Sequence, residues 1–336
     1  MDRKYRLEIS RSGGGNPSYS LTKDFKVGGK KARVKKYLFS GPTPPSSQEI
    51  EQFKLKYARE LELKAALKKA EMVATTYSIG YLPLEAIITL EQFKYLFQAN
   101  KDLLTIDEVR AYEERFEMQY IHGTTVIEGN TLSFSEASNL LLYDVTPSEK
   151  SYLEMKAIDN FKKVVPYRNA YHGKVTLKFI KRLHALIMDG IISSAGEFRR
   201  ADDLCIDGCD LRPSPSIEIE TELTELINEY YRRLNEGRHP FEEAVLFHYN
   251  FELIHPFDNG NGRVGREVLN YMLVQKGFPR FLVLGEDREK YIKALHFGNN
   301  AQFDSMILHF ARLMSEQRLS VLLERFKQDG SNVSKT

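Results

Sequence analysis

The sequence predicts a mainly α-helical protein that begins with a small antiparallel β-meander. Apolar residues recur at every third or fourth position through most of the chain after residue 46, which is the spacing of helices that pack on a core. Alternation of apolar and polar residues, the pattern of strands, is confined to residues 3–40. With 336 residues, of which 42% are hydrophobic and 28% charged, the composition is that of a folded globular protein of roughly two domains. It excludes a collagen-like or disordered chain.

The N-terminal segment is expected to form strands joined by a tight turn. Leu7 and Ile9 alternate with charged residues, and a second apolar run follows about ten positions later. Gly28-Gly29 separates two further apolar stretches and supplies the positive φ angles that a tight hairpin needs. We therefore expect residues 1–41 to form an accessory β-meander.

Positive charge is concentrated in this predicted hairpin. Between residues 23 and 36, seven residues are basic and Asp24 alone is acidic, so the local charge is 7 − 1 = +6. Two interpretations stay open: a solvated edge strand whose lysines block pairing with another sheet, which is the commoner arrangement, or a surface that binds a polyanion such as nucleic acid. The basic residues are Lys23, Lys26, Lys30, Lys31, Arg33, Lys35 and Lys36.

Helices are expected to make up the rest of the chain. A proline-rich linker precedes Ser46-x-x-Glu49, a capping box that opens a long helix, and Thr105-x-x-Glu108 opens another. We expect a helical linker region over 46–104, a core over 105–328 and a disordered tail over 329–336. Within the core, helices are predicted over residues 133–143, 148–165, 176–188, 218–235, 241–254, 263–276, 288–297 and 304–328.

Composition and charge also indicate where the protein works. A net charge of +2 is too small for the whole chain to bind nucleic acid or a membrane surface. The first residues are charged and lack the apolar segment of a secretory signal, and no stretch is apolar enough to cross a bilayer. Two cysteines, Cys205 and Cys209, are too few for a disulfide scaffold, and without further ligands nearby their C-x3-C spacing favours reduced thiols over zinc. We expect a cytoplasmic protein.

The segment over residues 255–266, H-P-F-D-N-G-N-G-R-V-G-R, joins two predicted helices. Gly260 and Gly262 allow main-chain amides to approach an anion at a helix N-terminus, where the helix dipole favours negative charge. Arg263 and Arg266 lie on one face of the first turn, where guanidinium groups can grip phosphate oxygens. His255 precedes this cradle and can accept a proton near neutral pH. A base beside a phosphate cradle indicates phosphoryl or nucleotidyl transfer to a hydroxyl group.

This segment resembles the motif of the Fic (filamentation induced by cAMP) family, H-P-F-x-(D/E)-G-N-G-R-x-x-R, and matches it everywhere except at Asn259. The resemblance extends over roughly residues 105–325. It includes Leu183–Met188 and Ala195–Arg199, which are similar to a helix of the family and to the start of its flap hairpin. Tyr291, Leu295 and Asn299 resemble the later helix that borders the adenine pocket.

The resemblance implies a helical Fic core with a β-hairpin flap, and a protein adenylyltransferase that uses Mg²⁺ to transfer AMP from ATP to a Ser, Thr or Tyr hydroxyl. His255 would be the general base. The backbone of Gly260 and Gly262, with Asn261, would hold the α- and β-phosphates, and Arg263 would neutralise the β/γ end. The flap residues Leu204, Cys205, Ile206, Asp207 and Gly208 would align the target segment by strand addition.

Asn259 stands where the family has the carboxylate that binds Mg²⁺. Because magnesium prefers anionic oxygens, we expect weaker metal binding, with Asp258 next to it as a substitute ligand if the loop shifts. The substitution also leaves open a donor other than ATP.

Residues 124–130, T-T-V-I-E-G-N, resemble the family's inhibitory helix motif, (S/T)-x-x-x-E-(G/N). The resemblance implies that Glu128 pairs with Arg266 and occupies the charge that should bind the γ-phosphate, because a carboxylate and a phosphate compete for the same guanidinium fork. The expected protein is therefore autoinhibited.

Two other hypotheses for the function stay open. Glu128 can instead orient a water for removal of AMP, which makes the protein a de-AMPylase, or the site can use another phosphate-containing donor. A different class is a nucleotide-sensing regulator or nucleic-acid-binding protein that acts through the basic meander. The expected partner is a protein with a reactive hydroxyl side chain, including this chain itself, and a homodimer is a further expectation.

Overall fold

The structure is a computed structural model that describes residues 5–11, 15–202 and 212–328. In these residues it is mainly α-helical with one three-stranded antiparallel sheet, so the predicted fold class is confirmed. The chain forms two compact units. Unit 1 contains Met1–Tyr77, Leu84–Thr105 and Ser315–Thr336, and unit 2 contains Ser78–Pro83 and Ile106–Met314. The domain boundaries expected at residues 41, 46 and 104 stay predictions.

The sheet in unit 1 is the expected meander. Its strands β1 (Arg6–Ser10), β2 (Ser18–Val27) and β3 (Lys30–Ser40) pair in chain order, and Val27 lies opposite Lys30 at the closed end of the hairpin. Gly28 and Gly29 make the turn at φ angles of 53° and 81°, which side chains with a Cβ rarely adopt. The turn chemistry thus fixes the register of β2 and β3.

Helix α1 (Ser47–Ala74) packs on this sheet, and α2 (Leu84–Lys101) packs on α1. Ser46 and Glu49 form both bonds of the predicted capping box. The sequence patterns did not single out α2, because part of it falls in a nearly uncharged apolar stretch. Tyr5, Leu21, Val34, Leu61 and Ala65 form the core between sheet and helix.

The lysine-rich strand β3 lies at an edge of the sheet. Lys64 and Lys68 of α1 donate hydrogen bonds to the main-chain carbonyls of Lys35 and Arg33, at 3.4 and 3.0 Å. The side chain of Arg33 also pairs with Asp24, at 2.6 Å. Since neighbouring groups use the free carbonyls of the strand and neutralise part of its charge, these contacts favour the protected-edge interpretation of the basic residues.

Unit 2 is built from helices around two central ones. Its helices are α3 (Ile106–Ile127), α4 (Phe134–Tyr143), α5 (Tyr152–Asp159), α6 (Phe161–Ala170), α7 (Leu177–Ile187), α8 (Ile219–Asn235), α9 (Pro240–Ile254), α10 (Asn261–Gln275) and α11 (Arg288–Asn299), and the start of α12 (Phe303–Gln328). Buried side chains cover nearly all of α9 and the first three turns of α10. The short connection between these two helices is therefore held by a well-packed core.

The single helix expected over residues 148–165 is wrong, because the chain forms two helices there, α5 and α6. They meet at Asn160, whose side-chain amide donates to the carbonyls of Ile187 and Asp189, both at 2.9 Å. Asn160 is completely buried, so these bonds satisfy polar groups that water cannot reach. The helical periodicity continues through this junction, whereas the bonds that make it depend on the tertiary fold.

None of the helices in the described part of the chain is both long and apolar enough to cross a membrane.

Candidate active site

The connection between α9 and α10 has a fixed shape. His255 ends α9 in the left-handed region, at φ 50° and ψ 61°, and Gly260 precedes α10 at φ 83°. The side chain of Asn261 accepts a hydrogen bond from the Phe257 amide, at 2.9 Å, and donates to the Phe257 carbonyl, at 2.8 Å. Asn261 therefore closes the loop around Phe257, which is fully buried.

His184 on α7 holds this loop from the other side. Its ring stacks on Phe257 with the centroids 3.7 Å apart. Nδ1 accepts from the amide of Gly196 at 2.8 Å, so Nε2 carries the proton that is donated to the Asn259 carbonyl, at 2.9 Å. Burial lowers the pKa of His184 to about 4, which keeps the ring neutral at physiological pH.

The N-terminus of α10 forms a cradle for an anion. The first amides of a helix have no intrahelical partner, and the helix dipole places partial positive charge there. A Cβ on Gly262 would overlap Oε1 of Glu128, and a Cβ on Gly260 would lie 2.7 Å from Sδ of Met188. Glycine at both positions thus keeps the amides accessible and lets Glu128 approach.

Two buried arginines line the cradle. Arg266 is 3% exposed and donates to the Thr124 hydroxyl at 2.8 Å, to the Thr124 carbonyl at 2.9 Å and to Glu128 Oε1 at 2.7 Å. Arg263 is 6% exposed, and its Nη2 donates to Oδ1 of Asn259 at 3.1 Å. Buried guanidinium groups are costly unless an anion compensates them, and Glu128 supplies one such charge.

Glu128 is ionised in this setting. Burial raises the pKa of its carboxyl group, but the charges of Arg266 and Arg263 and the hydrogen bond from Arg266 outweigh that effect and lower the pKa overall. Glu128 follows α3 directly, and its side chain keeps 28% of its surface exposed. The carboxylate therefore occupies the cradle as an anion that lies at the edge of solvent.

The imidazole of His255 lies at the end of α9. Its Nδ1 lies 3.3 Å from the main-chain carbonyl of Glu252, and because a carbonyl only accepts, this contact favours the tautomer with the proton on Nδ1. In that tautomer Nε2 has the lone pair that a general base needs.

Part of this chain is similar to a known family of proteins. A model of the Fic/DOC family matches residues 174–273, which include the loop, the cradle and both arginines. Residues 174–273 form a Fic domain. The chain is 27% identical to the protein adenylyltransferase Fic of Aedes aegypti over 234 aligned residues. The alignment covers 66% of this chain and 46% of that protein. With the protein of the same name from Drosophila ananassae it shares 30% identity over 210 residues, 60% of this chain and 41% of that one. The chain thus spans less than half the length of these relatives.

Solved structures support the fold. A Fic-domain-containing signalling protein from Bacteroides thetaiotaomicron superposes with a TM-score of 0.60 at 23% identity, covering 70% of this chain and 97% of that one. Fic-1 from C. elegans gives a TM-score of 0.62 at 21% identity, covering 83% and 86%. The expected resemblance to the Fic family is confirmed by the family model and the named relatives.

The structure places the two residues expected at the adenine pocket differently. The ring of Tyr291 lies 5.7 Å from the guanidinium carbon of Arg266, and the residue is 1% exposed. Asn299 lies eight residues further along α11, at its end, where its Oδ1 accepts from the hydroxyl of Tyr249 at 3.3 Å. Tyr291 therefore adjoins the cradle, whereas Asn299 contacts α9. The expected flap residues Leu204, Cys205, Ile206, Asp207 and Gly208, like Cys209, lie outside the described residues.

The loop of the Fic domain does not provide a fitting site for Mg²⁺. The amide oxygen of Asn259 already accepts from Arg263, and Oδ2 of Asp258 accepts from the hydroxyl of Ser194 at 2.6 Å. No cluster of three or more His, Cys, Asp or Glu side chains suited to a metal occurs in residues 5–11, 15–202 and 212–328. In nucleotide sites Mg²⁺ is bound through one or two carboxylates together with substrate phosphates, and the amide at position 259 cannot supply such a carboxylate.

Sequence reasoning missed a buried pair behind Arg266. Oε1 of Glu252 lies 3.7 Å from Nδ1 of His248, and Nε2 of His248 lies 2.8 Å from the Tyr291 hydroxyl. Burial raises the pKa of Glu252 to about 8 and, with the charge of Arg266, lowers that of His248 to about 3. Both groups are therefore neutral near pH 7. In the sequence, only their i, i+4 spacing on one helix indicates that His248 and Glu252 are neighbours, and many exposed pairs have the same spacing.

Proposed function

We propose that this protein is a protein adenylyltransferase that transfers AMP from ATP to a hydroxyl side chain of a protein. The observation that carries the proposal is the joint placement of the His255 base, the amides at the start of α10 and the guanidinium groups of Arg263 and Arg266. The two curated relatives described above are named as adenylyltransferases, which supports the same reaction.

The reaction follows from these groups. Nε2 of His255 takes the proton from the target hydroxyl as its oxygen attacks the α-phosphorus of ATP. The bond from the α-phosphorus to the bridging oxygen breaks, and pyrophosphate leaves with the electron pair. The amides of Gly260 and Gly262 and the charge of Arg263 stabilise the negative charge on the phosphates. Asn261 acts through its bonds to Phe257, which hold these amides in place.

Glu128 is proposed to inhibit this reaction. Its carboxylate occupies one donor of Arg266 and lies against Gly262, where the γ-phosphate of ATP is expected to bind. A phosphate and a carboxylate cannot both use that donor, so ATP must displace Glu128 to bind productively. The same position beside the cradle also favours the second candidate, in which Glu128 orients a water that removes AMP from a modified protein.

The remaining expectations are proposals with separate tests. Since the side chains at Asn259 do not suit Mg²⁺, we propose that the metal contributes less to nucleotide affinity than in a loop that carries the family's carboxylate. A cytoplasmic location rests on the low cysteine content. Light scattering of the purified protein tests the homodimer, and salt-dependent binding of RNA or DNA tests the polyanion surface.

Radiolabelled ATP tests the reaction class. We expect the Glu128→Gly variant to incorporate label into protein from ATP labelled at the α-phosphate and none from ATP labelled at the γ-phosphate. Label from the γ-position would indicate phosphoryl transfer and contradict the proposal. Release of AMP from a modified protein, without incorporation, would favour the second candidate.

A further inference from the structure

Arg199 is a buried arginine that lies next to the catalytic loop, and among the described residues its side chain bonds to main-chain carbonyls and to Asp202. The side chain of Arg199 is 1% exposed. The residue comes from the connection that follows α7, a stretch of the chain separate from the loop over residues 255–260. A fully buried guanidinium group requires several acceptors, so its partners indicate its role.

The first set of partners is the main chain around His255. Nε of Arg199 donates to the His255 carbonyl at 2.7 Å, and Nη2 reaches the Ile254 carbonyl at 3.3 Å. The main-chain amide of Arg199 donates to the carbonyl of Pro256 at 2.9 Å. Three consecutive carbonyls at the end of α9, where helical carbonyls lack intrahelical partners, are thus satisfied by one residue.

These bonds coincide with strained backbone. His255 has φ 50° and ψ 61°, a conformation that is unfavourable for a residue with a Cβ and persists only when its surroundings enforce it. The hydrogen bond from Nδ1 to the Glu252 carbonyl, which leaves Nε2 as the base, depends on this backbone. Arg199 holds the carbonyl of His255 itself and is therefore well placed to enforce it.

The second set of partners lies on the other side of the guanidinium group. Nη1 donates to the Ala201 carbonyl at 2.8 Å and to Oδ1 of Asp202 at 3.3 Å, and Nη2 donates to the Ser214 carbonyl. Oδ1 of Asp202 also accepts from the amide of Ser216, at 2.6 Å. One side chain therefore ties residues 201–202 and 214–216 to the main chain of His255.

We propose that Arg199 is a positioning residue that fixes the main chain of His255 and thereby the tautomer and direction of its imidazole. The proposal deepens the proposed function, because it rests on His255 being the base. Lysine at position 199 keeps the charge, but its single nitrogen cannot replace donors that point in opposite directions. The substitution Arg199→Lys therefore separates the bridging geometry from the charge.

The test measures the tautomer of the His255 imidazole directly. Nitrogen NMR of the protein labelled in its histidines distinguishes the tautomer with a proton on Nδ1 from the one with a proton on Nε2. In the unsubstituted chain, we expect His255 to carry the proton on Nδ1. In Arg199→Lys, we expect a mixture of both tautomers. An unchanged tautomer in Arg199→Lys would overturn the proposal. The NMR measurement needs no transferase activity, so its result does not depend on whether the proposed function holds.

Kinetics give the second readout. In the Glu128→Gly background, Arg199→Lys should lower kcat by about 10²-fold while the KM for ATP stays within about twofold, because a misplaced catalytic group costs rate and the nucleotide cradle is intact. An unchanged kcat, or a loss confined to KM, would contradict the proposal.

A matched control separates positioning from general loss of stability. Arg280 is also buried and donates to Glu117 at 2.8 Å, so Arg280→Lys removes a comparable guanidinium group away from His255. We expect it to leave the tautomer of His255 unchanged, and an equal shift in both variants would refute the special role of Arg199.

If Arg199→Lys fails to fold, Asp202→Asn takes its place, since the side chain of Asp202 is 61% exposed. It should give a smaller shift of the tautomer in the same direction, and no shift would overturn the proposal.

Discussion

Removing the charge of Glu128 should strengthen ATP binding, and the structure sets the size of the effect. The substitution Glu128→Gln keeps the shape of the side chain and removes the ion pair with Arg266, whose Nη2 lies 2.7 Å from Oε1. A hydrogen bond between charged groups contributes about 1.5–3 kcal/mol. The Glu128 side chain is 28% exposed, so solvent screens the pair and the lower half of that range applies.

A gain of about 1.5–2 kcal/mol corresponds to roughly 10- to 30-fold in the dissociation constant, because each 1.4 kcal/mol is a factor of ten. Isothermal titration calorimetry with ATP measures it. AMP is an internal control, since it lacks the γ-phosphate that competes with Glu128, and its affinity should change little. Glu114→Gln, an exposed glutamate on α3, is the matched control variant.

The result that refutes this reasoning is specific. Equal gains for ATP and AMP would show that Glu128 hinders the adenosine or the α-phosphate and does not compete with the γ-phosphate. No gain for ATP would show that Glu128 and ATP do not share a donor of Arg266.

Three further predictions concern other parts of the protein. Asn259→Asp should tighten ATP binding in the presence of Mg²⁺ and not in its absence, measured by calorimetry, because a carboxylate suits the metal better than an amide; unchanged affinity with Mg²⁺ would contradict it. The pKa of Glu252 is about 8 in the folded chain and about 4.3 when unfolded, so the stability that its neutral form contributes is complete below pH 4.3 and is lost as the pH rises to about 8. Urea midpoints should therefore fall less between pH 5.5 and 8 for Glu252→Gln than for the unsubstituted chain, and parallel curves would exclude a raised pKa. Asn160→Ala should lower the free energy of unfolding by about 1–3 kcal/mol because it leaves two buried carbonyls, those of Ile187 and Asp189, without a donor. Urea denaturation tests this. A change near zero would mean that the junction of α5 and α6 is stabilised by other contacts.

The fold was predictable where local chemistry determines it. The capping box at Ser46 and the paired glycines of the β2–β3 hairpin set the start of a helix and the register of two strands by nearest-neighbour bonds. The junction at Asn160 was not predictable, since its bonds reach carbonyls almost thirty residues away.

The site divides in the same way. The glycines and arginines of the cradle lie within seven residues of one another, so their spacing already indicates an anion site. The contact of Glu128 with Arg266, separated by 138 residues, followed only from resemblance to a family. The sequence indicated no role for Arg199 beyond its place in the segment Ala195–Arg199, and none for Glu252 beyond a common helical spacing, because the role of one depends on main-chain carbonyls and that of the other on burial.

Mass spectrometry of the Glu128→Gly protein after incubation with ATP tests the central claim most directly, with Glu128→Gly/His255→Ala as the control. We predict that the single variant gains the mass of AMP on a Ser, Thr or Tyr side chain, of its own chain or of an added target protein, and that the double variant gains none. AMP addition that persists without the His255 imidazole, or its absence from the single variant with every target tested, would contradict the account.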